Sequence, residues 1–356
     1  MTAASNTTFT WRLPRGLPRP RVLADNPMTE VKVRLGRRLF YDKRLSGNGT
    51  FACASCHQQA RAFTDGRAHA LGSTGQAHPR SAMSLTNVAY NASYGWADGT
   101  VRTLEAQMAV PMLNEHPIEM GLKGNEAAVV ARFAADPAIA ALFRKSFPDA
   151  AGVISLDTIV KAIASFERTL MSAGSPFDRY LYRDEREALT PEAIRGMRLF
   201  FSDRLRCAQC HSGFNLSGPT QHASDEGGVV RTGRTEPVAA GPTFHNTGLY
   251  NVDGRGAYPA IDRGLFDLTH RPADMGRFRA PTLRNIAVTA PYMHDGSVPT
   301  LDAAIAHYAS GGVESPVKSP RIRRFTLSSA EVRELVTFLN SLTDTEFLTN
   351  PELSKP

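Results

Sequence analysis

The chain has 356 residues, room for about two domains of ordinary size. Hydrophobic residues make up 42% and charged residues 21%, a mix that buries a core and excludes a disordered chain, a collagen and a coiled coil. Lys and Arg number 41 against 34 Asp and Glu, a formal charge of +7, and no run nears the roughly 18 apolar residues of a membrane-spanning helix.

In chain order, residues 1–26 read as a Pro- and Arg-rich arm in which Trp11 packs on the surface. Its start, Met1-Thr-Ala-Ala-Ser-Asn6, has neither the basic region nor the apolar stretch of a signal peptide. For an exported protein the signal is then expected to be removed, or the N-terminus processed in another way. Next, Gly36-Arg-Arg-Leu-Phe40 closes a predicted helix with Leu35, Leu39 and Phe40 on one face. It runs into Cys53-Ala-Ser-Cys56-His57. Ser84-Leu-Thr-Asn87-Val-Ala89 follows, then Trp96, Asp98-Gly99 and a helix capped by Thr103. Helices are predicted over Glu126–Ala134, Pro137–Phe147 and Leu156–Leu170, with Pro148 and Gly174-Ser-Pro176 as breaks. Thr190-Pro191 starts a helix ending in Gly196-Met-Arg-Leu-Phe200, with Met197, Phe200 and Phe201 on one face, and Cys207-Ala-Gln-Cys210-His211 comes after it. Residues 213–242 read as a long polar surface loop. Thr282-Leu-Arg-Asn285-Ile-Ala287, His294, Asp295-Gly296 and a helix capped by Thr300 repeat the earlier order, and Ser328–Leu342 is the last helix.

All four Cys belong to two copies of C-x-x-C-H, the pattern of c-type haem attachment. Two thiols form thioethers to the porphyrin edge and the adjacent His supplies an axial nitrogen. A Cys₄ zinc site would leave both His residues unexplained. The propionates of two haems would bring the net charge nearer zero, so no nucleic-acid partner is needed to account for it. The repeat and the weak strand signals predict a mainly α fold of two cytochrome c-like haem domains related by internal duplication, with long loops. The expected division is an arm 1–26, a first haem domain 27–190, a second 191–345 and a tail 346–356. Covalent haem attachment in bacteria follows export, so the periplasm is the expected compartment.

The repeat also compares the two iron sites. Tyr308 lies seven residues after Leu301, and Pro111 lies seven after Leu104. Proline offers iron no donor atom. The first haem is therefore expected to be open to peroxide and the second closed, by Tyr308 or by its neighbour His307. Near the open site, Gln107 shares a helical face with Pro111. Glu119 is the expected base that takes a proton from peroxide, with Gln107 orienting the substrate. Glu115 and His116 lie close by in sequence. Trp96, the counterpart of His294, is expected between the haems as an electron relay. Plain packing is the competing reading for Tyr308 and Trp96.

The segments Leu35–Phe40, both haem motifs, Trp96, Gln107, Glu119-Met120-Gly121 and Pro291-Tyr-Met-His-Asp-Gly296 resemble the bacterial dihaem cytochrome c peroxidase and MauG superfamily, from about residue 27 to 345. That resemblance implies His57 as proximal ligand of a high-spin haem and His211 with Tyr308 on a low-spin haem, since MauG-like members carry Tyr where ordinary peroxidases carry Met. It implies Trp96 coupling the irons and Gln107, Pro111 and Glu119 lining the peroxide pocket. Ser73 stands where ordinary peroxidases carry a loop His that caps the peroxidatic iron; His69 and His78 are offset. In MauG-like enzymes hydrogen peroxide yields paired Fe(IV) haems that oxidise a protein substrate at long range. The family also carries a structural calcium. Thr289 and Pro291 match its carbonyl ligands, while its Asn ligand falls near Ser81, with Asn87 as a substitute. Leu113–Met120, lengthened by Glu115-His116, looks like the MbnH branch, which oxidises a Trp of a copper-associated MbnP-type partner to kynurenine. The alternatives are a peroxidase fed by a small cytochrome or cupredoxin, and a non-catalytic electron-transfer protein.

Overall fold

A computed structural model describes residues 9–223 and 243–356. Of the loop expected at 213–242, the part from 224 onward lies outside the described residues. The first half supplies α1 (Glu30–Phe40), α2 (Cys53–Cys56), α3 (Leu104–Leu113), α4 (Glu126–Ala134), α5 (Pro137–Ser146) and α6 (Leu156–Glu167). The second supplies α7 (Pro176–Tyr182), α8 (Pro191–Phe200), α9 (Phe266–Thr269), α10 (Leu301–Ser310), α11 (Ser329–Asn340) and α12 (Thr345–Thr349). The only paired strands among the described residues are β1 (Phe244–His245) and β2 (Phe278–Arg279), antiparallel, with Phe244 opposite Arg279.

Capping chemistry starts the helices where the sequence suggests. Thr103, Thr190 and Thr300 accept the amides of Ala106, Ala193 and Ala303 with their hydroxyls. Pro191 and Pro137 occupy first-turn positions, where a missing N–H costs nothing.

Each half is built on one helix crossing. α1 buries Leu35, Leu39 and Phe40 against α6, and at the contact a Cβ on Gly36 would run into the Ala162 carbonyl. α8 meets α11 in the same way, with Gly196 pressed on the Glu334 carbonyl. Two separate cores result. One holds Phe40, Phe63, Phe133 and Phe166; the other holds Phe200, Leu335 and Phe338.

Packing divides the chain differently from the sequence expectation. Phe177 of α7, placed by sequence in the first domain, belongs to the second core. Phe347 and Leu353, read as a tail, belong to the first. The C-terminus is fastened there by Tyr41 Oη donating to the Leu353 carbonyl at 2.7 Å and Gln59 Nε2 to that of Phe347 at 3.0 Å. Those partners are backbone carbonyls, which carry no side-chain signature.

The duplication is visible in two asparagines. Asn87 and Asn285 both adopt φ near +55 to +60°, a region Asn tolerates better than most residues, and each opens a 3₁₀ turn. Asn87 Oδ1 accepts the Ser172 amide at 2.8 Å, and Asn285 Oδ1 accepts the Asp344 amide at 2.7 Å.

Candidate active site

Both haem-motif histidines are oriented by backbone carbonyls. His57 Nδ1 is 2.8 Å from the Phe63 oxygen, and His211 Nδ1 is 3.1 Å from that of Pro281. A carbonyl can only accept, so each Nδ1 carries the proton and each Nε2 keeps its lone pair for a metal. Burial holds both imidazoles below their ordinary pKa, His211 at about 4, in the neutral form that ligation requires. The thiols are pushed up by burial, that of Cys56 to about 12.

The second motif opens on a large apolar cavity lined by Cys207, Cys210, His211, Leu283, Ile305 and Tyr308. Tyr308 stands on α10 and reaches the same cavity as His211. Burial raises its phenol pKa, with the nearby Cys210 and Cys207 acting in the same direction. His307 is turned elsewhere, its Nε2 3.1 Å from the Thr247 carbonyl. Haem fits this space. Arg279, on β2, lies buried at the cavity wall with its Nε unpartnered among the described residues, and burial lowers its pKa to about 10. Such a cation needs an anion, which a haem propionate would supply. His245 of β1 is also on the wall. Sequence reasoning missed both; the only signal at Arg279 was a charge set between Phe278 and Ala280.

The residues expected around the open site assemble at the end of α3. Gln107 and Pro111 lie on that helix, half-buried. The returning segment is hooked to its last turn, with Met120 N donating to Pro111 O at 2.9 Å and Leu122 N to Met112 O at 2.9 Å. This brings Glu119 back beside the helix. Burial raises its carboxyl to about 7, so it can take up or give back a proton near neutral pH. The Glu119 charge is felt at Cys56, on the first haem motif. Glu115 and His116 are exposed instead, and Glu115 pairs with Lys123 at 2.5 Å.

Trp96 lines the second cavity, and its indole Nε1 donates to the Ser81 carbonyl at 3.0 Å. Ser81 N in turn donates to the His294 carbonyl at 2.8 Å, joining the two repeat counterparts across the domain boundary. His294 is buried and stacked on Phe278, 3.7 Å between ring centres. Thr289 and Pro291 also reach this cavity. Asn87, expected with them in a calcium set, is placed elsewhere. Its carboxamide is spent on the backbone of Ser172, accepting at 2.8 Å and donating at 3.0 Å, and it does not line the cavity. No cluster of three His, Cys, Asp or Glu suited to a metal ion occurs among the described residues.

Two helical modules, each with a c-type attachment motif, and a carboxyl of raised pKa brought back beside α3 near the first motif define a two-haem cytochrome equipped for proton transfer at one of its sites. Residues 30–186 match the di-haem cytochrome c peroxidase family, and residues 277–307 a RoxA-like, cytochrome c-like family. The chain is 35% identical over 353 residues to cytochrome-c peroxidase IdrP1 of Denitromonas iodatirespirans, covering 96% of this chain and 89% of that protein. It is 34% identical to methylamine utilization protein MauG of Methylorubrum extorquens, over 93% of this chain and 83% of that one. The crystal structure of a MauG-like protein associated with microbial copper homeostasis superposes with a TM-score of 0.90 at 45% identity, covering 98% and 99% of the two chains. The chain belongs to the dihaem cytochrome c peroxidase and MauG family. It is an oxidoreductase acting on peroxide and carries two haem c groups.

Proposed function

We propose that this protein is a MauG-like oxidase of the periplasm that uses hydrogen peroxide to oxidise a partner protein, the target being a Trp of a copper-associated, MbnP-type protein converted to kynurenine. One observation carries the reading: Tyr308 shares a cavity with His211 while His307 bonds Thr247, and the counterpart of Tyr308 on α3 is Pro111, which has no donor atom. A site closed by a phenolic oxygen beside one left vacant suits storage of an oxidising equivalent better than rapid electron relay. The likeness to a protein associated with copper homeostasis supports the choice of partner.

In this reading His57 ligates the first haem, and His211 with Tyr308 the second. The haems, when bound, supply the redox chemistry, reducing peroxide at the first and holding oxidising equivalents at both. Glu119 takes the proton from the near oxygen of peroxide and returns it to the leaving oxygen as water departs. Gln107, whose carboxamide makes no hydrogen bond to the described residues, orients the substrate, and Pro111 keeps the face clear. Trp96, fixed by Ser81, couples the two sites.

The test is mass spectrometry of the protein encoded beside this one, after incubation with the holoenzyme and peroxide. Oxidation confined to one Trp is expected. Fast steady turnover with a reduced small cytochrome or cupredoxin, and an unmodified partner, would make the protein an ordinary peroxidase.

A further inference from the structure

Residues 70–80 form a hairpin-like loop, with His78 N donating to Ala70 O at 2.7 Å and Ala70 N to Arg80 O at 3.1 Å. This loop grips the segment that carries Glu119. Ser73 N donates to the Glu119 carbonyl at 2.6 Å, and Gln76 Oε1 accepts the Ile118 amide at 2.8 Å. The approach at Gly72 is so close that a Cβ there would strike the Ile118 carbonyl. From the same loop, His78 places its Nε2 4.0 Å from Glu119 Oε1.

The other ring nitrogen of His78 fixes its state. Arg80 N–H points at His78 Nδ1 at 3.0 Å. An amide can only donate, so Nδ1 must be bare and Nε2 must hold the proton. Protonating the ring would set two hydrogens against each other. Burial and the Arg80 charge lower the pKa of His78 to about 4, with Asp262 opposing and His69 assisting. Arg80 is itself anchored on Asp262, at 2.6 and 2.8 Å. His78 of the loop thus faces the Glu119 carboxyl, whose charge is also felt at Cys56 on α2.

We propose that His78 is a positioning residue for Glu119, presenting an uncharged N–H that orients the carboxylate without weakening it as a base. A movement of about 1 Å closes the gap to a hydrogen bond, as distal contacts commonly tighten when substrate binds. One carboxylate oxygen is then held by His78 and the other faces peroxide. A cation in the same place would orient the carboxylate equally well but drop its pKa by about 1–3 units. The inference rests on the reading of Glu119 as the base, and it is independent of which protein is oxidised.

The experiment follows the rate of the ferric holoenzyme's reaction with peroxide against pH by stopped flow, in the wild type, His78→Gln, His78→Leu and His78→Lys. The infrared band of the protonated Glu119 carboxyl is recorded across the same pH range as a readout that needs no turnover. In the wild type the rate should rise with pH through about 7 as Glu119 ionises. His78→Lys should move both the kinetic midpoint and the infrared titration down by at least about one unit. His78→Leu should lower the plateau about tenfold with the ferric spectrum unchanged, and His78→Gln should restore most of it. An unmoved midpoint in His78→Lys together with an unchanged plateau in His78→Leu would overturn the proposal. A Glu119→Gln enzyme that reacts at the wild-type rate would remove the base itself, and the proposal with it, while leaving partner oxidation to be judged by its own assay.

Discussion

His307 and Tyr308 are neighbours on α10, and successive helical residues point about 100° apart, so only one can face a given iron. Which one does so depends on what surrounds the helix, and the carbonyl of Thr247 that engages His307 lies far off in sequence. Tyr308→Phe keeps the ring and removes only the oxygen. If Tyr308 ligates the second haem as proposed, that ligand should then be lost, and the ferric spectrum should shift from one low-spin and one high-spin haem to two high-spin haems. His307→Ala should leave the spectrum unchanged; the reverse result would exchange the two roles. At this scale the motif residues were legible because thioether chemistry fixes their spacing. Arg279, His245 and His78 were not. Their significance comes from a cavity wall and a loop contact, and a lone charge or imidazole in sequence resembles any other. The carbonyls of Phe63 and Pro281 that orient His57 and His211 are invisible for a simpler reason: every residue has one.

Among the elements, the helix starts were readable because Thr and Ser caps with Pro in the first turn are local chemistry. The pairing of α1 with α6 and of α8 with α11 was half-readable. The repeated Gly-x-x-Leu-Phe run announced equivalent helices, but the partner carbonyls at Ala162 and Glu334 did not announce themselves. These glycines are helical, so their role is close approach and not backbone freedom. Gly36→Ala should force α1 from α6 and cost about 1–3 kcal/mol, the range for overfilling a tight core. Gly196→Ala should do the same to α8 and α11. Each variant should unfold at lower denaturant, with the haem environment of its own module disturbed first. Equal stability to the wild type would mean the crossings relax freely. The asparagines at 87 and 285 teach the converse lesson. Asn87, expected as a substitute calcium ligand, clips the backbone of Ser172, and an amide side chain at positive φ serves a turn as readily as an ion.

Across the whole molecule, the two modules meet along the stretch from Arg80 to Ser81. Ser81 connects Trp96 to the backbone of His294, and Arg80 makes a two-pronged ion pair with Asp262, which is 4% exposed. Burial opposes the charge on Asp262, but hydrogen bonds and charge from Arg80 outweigh it and hold the carboxyl below its ordinary value. A carboxyl with a depressed folded pKa stabilises the fold above its unfolded value of about 3.8, and that contribution is lost as pH falls through the folded pKa. Arg80→Ala leaves Asp262 buried without a fixed cation, held by the Gly264 amide at 3.0 Å and with the neutral ring of His294 3.8 Å away. The expected loss at pH 7 is about 3 kcal/mol, the low end for breaking a buried pair, since Arg80 remains partly open to water. Denaturation midpoints compared at several pH values should show the two proteins well apart at neutrality and converging as the pH drops below the usual aspartate range. A gap that persists undiminished in acid would mean that Arg80 acts through its packing on Phe278, 5.6 Å from the ring centre, and not through its charge. The same comparison bears on function, because the segment that loses its anchor also holds the carbonyl to which Trp96 is hydrogen-bonded. If the pair keeps the modules in register, Arg80→Ala should slow the proposed oxidation of a partner protein more than it slows the reaction with peroxide.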